Sequence, residues 1–272
     1  MEAMQRDIAA DAVFADEHDL TPSAVAIDEP IRETAPSQAT LDGGGPVVVG
    51  IDQAFREEEA VSVAVAIRGG RVIERAFGRA PLEIPYIPGL LAFREGAAIA
   101  DALDSLTVAP DLLVCDGSGR IHYREAGIAT HVGVLFDVPS LGVAKNLLCG
   151  TPVEPVEDRY MAAGERVAIE ANDRVETCPN GTTIGHFYQS RQYENPERRH
   201  VNPLVVSPGH RVATGTATDL VAATCAGYKL PEPTRVADAT SASGRARSER
   251  PQRLWRRDHT IIRHRGERCL LS

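Results

Sequence analysis

Three acidic side chains, Asp52, Glu95 and Asp116, stand where carboxylates do chemistry. Each lies beside a glycine at the edge of an apolar run: Gly50-Ile51-Asp52, Phe93-Arg94-Glu95-Gly96 and Cys115-Asp116-Gly117-Ser118-Gly119. A carboxylate in such a place is costly to bury unless a cation takes up its charge. Hard oxygen donors suit Mg2+, with Mn2+ as a substitute. Hydrolysis of a phosphodiester needs carboxylates that hold one or two such ions, and a cation or proton donor near the leaving oxygen. The acids are 43 and 21 residues apart, too far for one loop, so the fold must converge them. Singly, each reads as a strand-end acid or a helix first-turn acid favoured by the dipole. Together, on three elements, they read as a magnesium site.

His122, Lys145 and His210 form a second tier. His122 follows the glycine turn after Asp116, Lys145 ends a short β-branched run, and His210 follows Ser207-Pro208-Gly209. Lys145 suits stabilisation of phosphate charge, and His210 suits holding water or the metal's outer shell. Tyr86-Ile87-Pro88-Gly89 is a stiff turn whose ring can stack in the gap left by an extruded base, or pack on a sheet edge. The Gly117-Ser118-Gly119 turn lacks the pattern of a nucleophile elbow, and no glycine turn is followed by Gly-Lys-Ser/Thr, so neither a serine-hydrolase elbow nor a phosphate-cradling loop is present.

The elements that must position these residues follow from periodicity. Pro46 to Asp52 is a β-branched central strand and Glu59 to Ile67 a second. Arg68-Gly69-Gly70-Arg71 is a hairpin turn into a third, Val72 to Phe77. Glu95 to Leu106 has helical spacing. Leu112 to Cys115 is continuously apolar, as in a strand buried on both faces. A helix over Ala126 to Phe136 and a strand over Ser140 to Ala144 complete the set. This order predicts an α/β fold of the ribonuclease H-like kind, a mixed central sheet flanked by helices in a single domain. The first and fourth strands would then lie side by side, with Asp52 and Asp116 at one edge and Glu95 leaning in from the helix. Further strands are expected at Glu165 to Glu170, Gly185 to Tyr193 and Val201 to Ser207, the last broken by Pro208-Gly209, then a helix over Thr216 to Gly227.

Residues 1–44 read as an acidic arm and linker, 45–240 as the catalytic unit, and 241–272 as an Arg-rich, disordered tail. The chain of 272 residues is 43% hydrophobic, enough for one large core. No apolar run approaches the roughly 20 residues needed to cross a bilayer, and the N-terminus lacks a secretory core. Five scattered cysteines with no Cys-x-x-Cys pair point to reduced thiols in a cytoplasmic protein and away from zinc. The net charge of −9 is unevenly spread: residues 1–45 carry ten acids against two arginines, and 241–272 nine arginines against three acids. The stretch between them carries −7, so it is the uneven distribution and not the sum that leaves a nucleic-acid partner open; an acidic surface is also what proteins of a salty cytoplasm use to stay dissolved.

Taken in order, Gly-Ile-Asp52, Pro-Tyr86-Ile-Pro-Gly89, Phe-Arg94-Glu95-Gly, Asp116-Gly-Ser-Gly, Val-Ala-Lys145 and Val-Ser-Pro-Gly-His210-Arg211 resemble endonuclease V, the deoxyinosine 3′ endonuclease family. The similarity runs from about residue 45 to 240 and includes Leu230-Pro-Glu-Pro-Thr-Arg235. It implies that Asp52, Glu95 and Asp116 hold magnesium with His210 beside them, and that Tyr86 on its Pro88 loop is a wedge. It also implies that Gly89, Gly117 and Leu148 line a hypoxanthine pocket, that Arg94 joins the substrate-binding set, and that Lys145 and His122 are basic residues near the cut. The implied reaction hydrolyses the second phosphodiester 3′ to deoxyinosine, leaving 3′-hydroxyl and 5′-phosphate ends. DNA with deoxyinosine or other deaminated bases is the implied partner; some relatives prefer inosine in single-stranded RNA. Ser118 and Tyr123 depart from the family pattern at the pocket mouth. The alternatives are another ribonuclease H-like nuclease, such as an excision-repair incision subunit, and a non-catalytic inosine-binding protein. A monomer without membrane contact is expected.

Overall fold

The computed structural model describes residues 1–32, 44–56, 58–82, 85, 87, 89–157, 159–195, 197 and 199–242. Strands β1 (Val48–Arg56), β2 (Glu59–Arg68) and β3 (Arg71–Pro81) form an antiparallel meander. Gly69 and Gly70, both at positive φ, turn β2 into β3, as the Gly-Gly pair requires. On its other side β1 pairs in parallel with β4 (Leu112–Asp116), which pairs in parallel with β5 (Ser140–Ala144). The strands β6 (Thr151–Pro152), β7 (Arg166–Glu170), β8 (Thr183–Tyr188) and β9 (Leu204–His210) extend the sheet, in the order β3-β2-β1-β4-β5-β9-β8-β7-β6. The expected mixed central sheet with helices on its faces is therefore present, and β1 lies beside β4.

Helices α1 (Glu2–Asp11), α2 (Pro22–Val25), α3 (Leu91–Asp104), α4 (Ile128–Phe136), α5 (Thr214–Ala223) and α6 (Glu232–Ala242) cover the sheet. On one face Val49, Ile51, Leu113 and Cys115 meet Ile99 and Leu103 of α3 and Val132 of α4. On the other, Val48, Leu112, Val114 and Leu141 meet Leu220 and Val221 of α5. Both faces of β4 are covered, which explains its unbroken apolar run. Each fully buried aliphatic side chain here contributes about 1.5–3 kcal/mol.

Three features differ from expectation. First, β9 passes through Pro208 and Gly209 without a break, and all seven of its residues are buried. Pro208 is tolerated because β8 pairs only with Leu204 to Val206, and because the β5–β9 register shifts beside it. Second, α6 carries no clear apolar period in the sequence, yet it packs on β1 and β2 through Val236 and Ala237. Gly50 permits this: a Cβ there would stand 2.0 Å from the Pro233 carbonyl oxygen. Third, the segment expected as an arm is docked on the body. Gln5, Val25 and Ile27 are buried, and Arg211 N–H donates to the Val13 carbonyl. Asp16 accepts from Ala213 N–H and Thr216 Oγ1, closing the start of α5.

Of the expected linker, residues 35–43 lie outside the described residues, as does 243–272 of the expected tail; Ser241 and Ala242 belong to α6. Cys115, Cys149, Cys178 and Cys225 are free thiols. Among the described residues no helix is long and apolar enough to cross a membrane.

Candidate active site

Ile51 and Cys115 are the last paired residues of β1 and β4. Asp52 and Asp116 follow them, side by side where these two strands part; Asp52 stays paired with Val63 of β2, and Asp116 with Val143 of β5. Glu95 comes in from the second turn of α3 and is 2% exposed. Burial pushes the Asp52 carboxyl up to about 6; Ser241 opposes this by donating a hydrogen bond, while Asp116 and Asp238 add repulsion. Burial pushes Glu95 up to about 7, against the pull of Arg94 and with repulsion from Asp116 and Asp52. Asp116 is also raised by burial, with Lys145 drawing it back. The Lys145 Nζ lies 3.7 Å from Asp116 Oδ2. The fold thus brings Asp52, Glu95, Asp116 and Lys145 together.

Sequence reasoning missed two neighbours. Ser241 Oγ donates to Asp52 Oδ2, and Asp238, three residues earlier on α6, repels both Asp52 and Asp116. Their i, i+3 spacing after Pro231-Glu232-Pro233 was the available signal, since it sets both on one helix face. Among the described residues no group of three or more His, Cys, Asp or Glu closes into a ready-made metal cage. The donor set nonetheless fits Mg2+, which keeps several waters and takes one or two carboxylates plus substrate oxygens. Buried acids that raise one another's pKa are also what a bound divalent ion relieves.

His210 is not part of this group. β9 runs antiparallel to β5, so its last residue pairs with Ser140, the first residue of β5, at the far end of the sheet from the acids. There His210 Nδ1 accepts from Val13 N–H at 3.2 Å and Nε2 faces Asp137 Oδ1 at 3.4 Å. The expected place beside the metal is corrected: this histidine ties down the N-terminal segment.

His122 is also not a basic group at the cut. It is 4% exposed, and burial pushes its pKa down to about 4, so it is neutral. Nδ1 accepts from Arg124 N–H, which leaves Nε2–H to donate to the Gly89 carbonyl at 3.0 Å. The ring walls a cavity of about 90 Å3, shared with Gly89, Leu91, Ser118, Ile128 and Leu148. That is well below the ~300–1,000 Å3 of drug-sized sites, so the cavity suits one flat ring system. Gly89 sits at φ +82, and a Cβ there would come within 2.9 Å of the Tyr123 ring. Gly117 stands behind the wall, where a Cβ would press on Ile128 at 2.6 Å.

The Gly89 carbonyl takes a second hydrogen bond, from Gln5 Nε2 of α1 at 2.6 Å. Gln5 Oε1 in turn accepts from Arg124 Nη1 at 3.0 Å, so α1 props the cavity rim. The Arg94 guanidinium lies 5.1 Å from the Phe55 ring centre, and its buried Nε has no hydrogen-bond partner among the described residues. Tyr86 and Pro88 lie outside the described residues.

The endonuclease V family model matches residues 30–239. An endonuclease V of Halobacterium salinarum is 64% identical over 245 residues, covering 89% of this chain and 92% of its own. The catalytic domain of human endonuclease V superposes with a TM-score of 0.69 at 25% identity, over 89% of this chain and 93% of that one. Ciona intestinalis endonuclease V superposes at 0.62 with 22% identity, over 91% of this chain and 97% of its own. The Ciona protein was crystallised with a 24-mer DNA containing an inosine followed by a ribo-adenosine; at that identity the match speaks for the fold alone.

Proposed function

The chain belongs to the endonuclease V family and is a metal-dependent hydrolytic endonuclease, and from that premise we propose that it repairs DNA by cutting the second phosphodiester 3′ to deoxyinosine. In this reading it acts as a cytoplasmic monomer with Mg2+ and leaves 3′-hydroxyl and 5′-phosphate ends. The observation that carries it is adjacency. Asp116 is two residues from Ser118 and Lys145 three from Leu148, and both Ser118 and Leu148 line the cavity. A base turned out of its stack into that cavity leaves its 3′ phosphates at the acidic edge.

Asp52, Asp116 and Asp238 are the groups that would hold the ion, which when bound supplies charge neutralisation and an acidified water. Glu95, buried at the same edge and raised to about 7 by burial in the metal-free chain, would join them as an outer carboxylate that a bound ion returns to its charged form. Lys145 is a fixed positive charge for the phosphate. Leu91, Ile128 and Leu148 offer apolar walls, and neutral His122 fixes the Gly89 backbone that forms the rim. Free, scattered thiols at the described cysteines are what a reducing cytoplasm favours.

The test is cleavage of labelled duplexes and single strands carrying one deoxyinosine or one inosine, in Mg2+, Mn2+ and EDTA. The expected result is a single cut at the second 3′ phosphodiester of the deoxyinosine strand, lost in EDTA. Preference for the ribo-inosine strand would instead establish an RNA substrate. Equal cutting of an undamaged strand would overturn lesion recognition.

A further inference from the structure

The segment from Lys145 to Leu148 divides two hollows. Leu148 faces the base cavity, while Lys145, Asn146 and Leu147 face an open groove of about 770 Å3. Leu147, Phe187 and Val201 give the groove an apolar floor. Arg199 lies over the Tyr160 ring at 5.0 Å, and that ring is 52% exposed. Arg159, also on the rim, is committed to Glu165 at 2.7 Å and Glu154 at 3.8 Å. No carboxylate pairs with Arg199 among the described residues. Beyond the rim, Lys229 donates to Asn202, and burial together with repulsion from Lys145 pushes its pKa down. Lys145, Arg159, Arg199 and Lys229 thus stand on this face together with Glu157, which also lines the groove, and Arg199 donates to the Glu194 carbonyl at 3.4 Å.

An exposed aromatic ring under a guanidinium that no described carboxylate pairs with, beside an apolar floor, is the chemistry that holds single-stranded nucleic acid. The groove is also continuous with the acidic edge, because Lys145 belongs to both. We propose that this groove holds, as a single strand, the nucleotides of the cut strand on the 3′ side of the scissile bond. Tyr160 stacks the first free base, and Arg199 takes a phosphate. The inference rests on the endonuclease reading above for its direction along the strand, and not for the groove's affinity.

Two measurements on the full chain separate the two. The first is fluorescence anisotropy with a labelled oligo-dT in EDTA, which needs neither a lesion nor cutting. Tyr160→Ala is expected to weaken binding about 5- to 100-fold, the effect of losing one stacked base at ~1–3 kcal/mol. Arg199→Gln is expected to lower the slope of log affinity against log salt by about 0.7, one phosphate contact on a single strand. Wild-type affinity and slope in both variants, with unchanged melting temperatures, would overturn the groove. The second is the KM for deoxyinosine strands whose 3′ flank ends a single nucleotide past the cut or several past it. Wild type should gain from the longer flank and Tyr160→Ala should not. An equal gain in both overturns the 3′ assignment and leaves the endonuclease reading intact, and so does a dependence on the 5′ flank that the variant loses. No cutting by wild type overturns the reading, while the oligo-dT result still decides the groove.

Discussion

At the scale of single residues, the acids are a liability that the fold tolerates. A carboxyl with a raised folded pKa holds its proton longer than in the unfolded chain. For Glu95 the window runs from 4.5 to about 7, and for Asp52 from 3.8 to about 6. Across that window the unfolded chain ionises first, so stability is fully present at low pH and falls as pH rises through the folded values. Without divalent cation the protein should therefore melt lower at pH 8 than these sites allow at pH 5. Asp52→Asn keeps an acceptor for Ser241 and removes the charge. It should raise stability at pH 8 in EDTA by about 3 kcal/mol, the rise from 3.8 to about 6 at ~1.4 kcal/mol per pKa unit, while abolishing cutting. Thermal unfolding at both pH values checks this, and a variant melting below wild type at pH 8 would refute it. The same residues show what the sequence gives away. Asp52 and Asp116 were readable only together: each alone has an ordinary explanation, but the element order set their strands side by side with Glu95 on the helix between. His210 was misplaced because the direction of β9 is a tertiary fact, invisible in Ser-Pro-Gly-His itself.

At the scale of elements, α6 decides whether the acidic edge is complete. It lies on β1 only because residue 50 has no side chain. Gly50→Ala should destabilise the fold by about 1–3 kcal/mol, the usual cost of overpacking. It should also lower kcat, because the displaced helix takes Ser241 and Asp238 away from Asp52. Urea midpoints and single-turnover rates separate the two effects; an unchanged kcat beside a lowered midpoint would sever α6 from the site. The central strands were predicted to within a few residues because burial on one or both faces writes a short-range pattern. The bounds of β5 match residue for residue. α6 escaped because small and hydroxyl residues with two nearby prolines carry almost no period, and its docking depends on a glycine in another element.

At the scale of the whole molecule, charge and chain ends matter most. The nine arginines of residues 243–272 lie outside the described residues, yet they bear on any polyanionic partner. Deleting 243–272 should flatten the salt dependence of DNA binding and leave the position of the cut unchanged. Titrations across salt concentration check this, and equal slopes would show that these arginines make no phosphate contact. The N-terminal segment was legible as an acidic arm but not as part of the body, because Gln5 finds its partners 84 and 119 residues away. That separation has a consequence for synthesis. α1 leaves the ribosome before Gly89, Arg124 and His210, which hold this segment in place, the last of them 197 residues after Val13. At roughly 5–20 residues per second, this means about 10–40 s of waiting. A piece made early is thus tied down late, and a nascent chain that has not yet released His210 lacks one of the anchors of this segment.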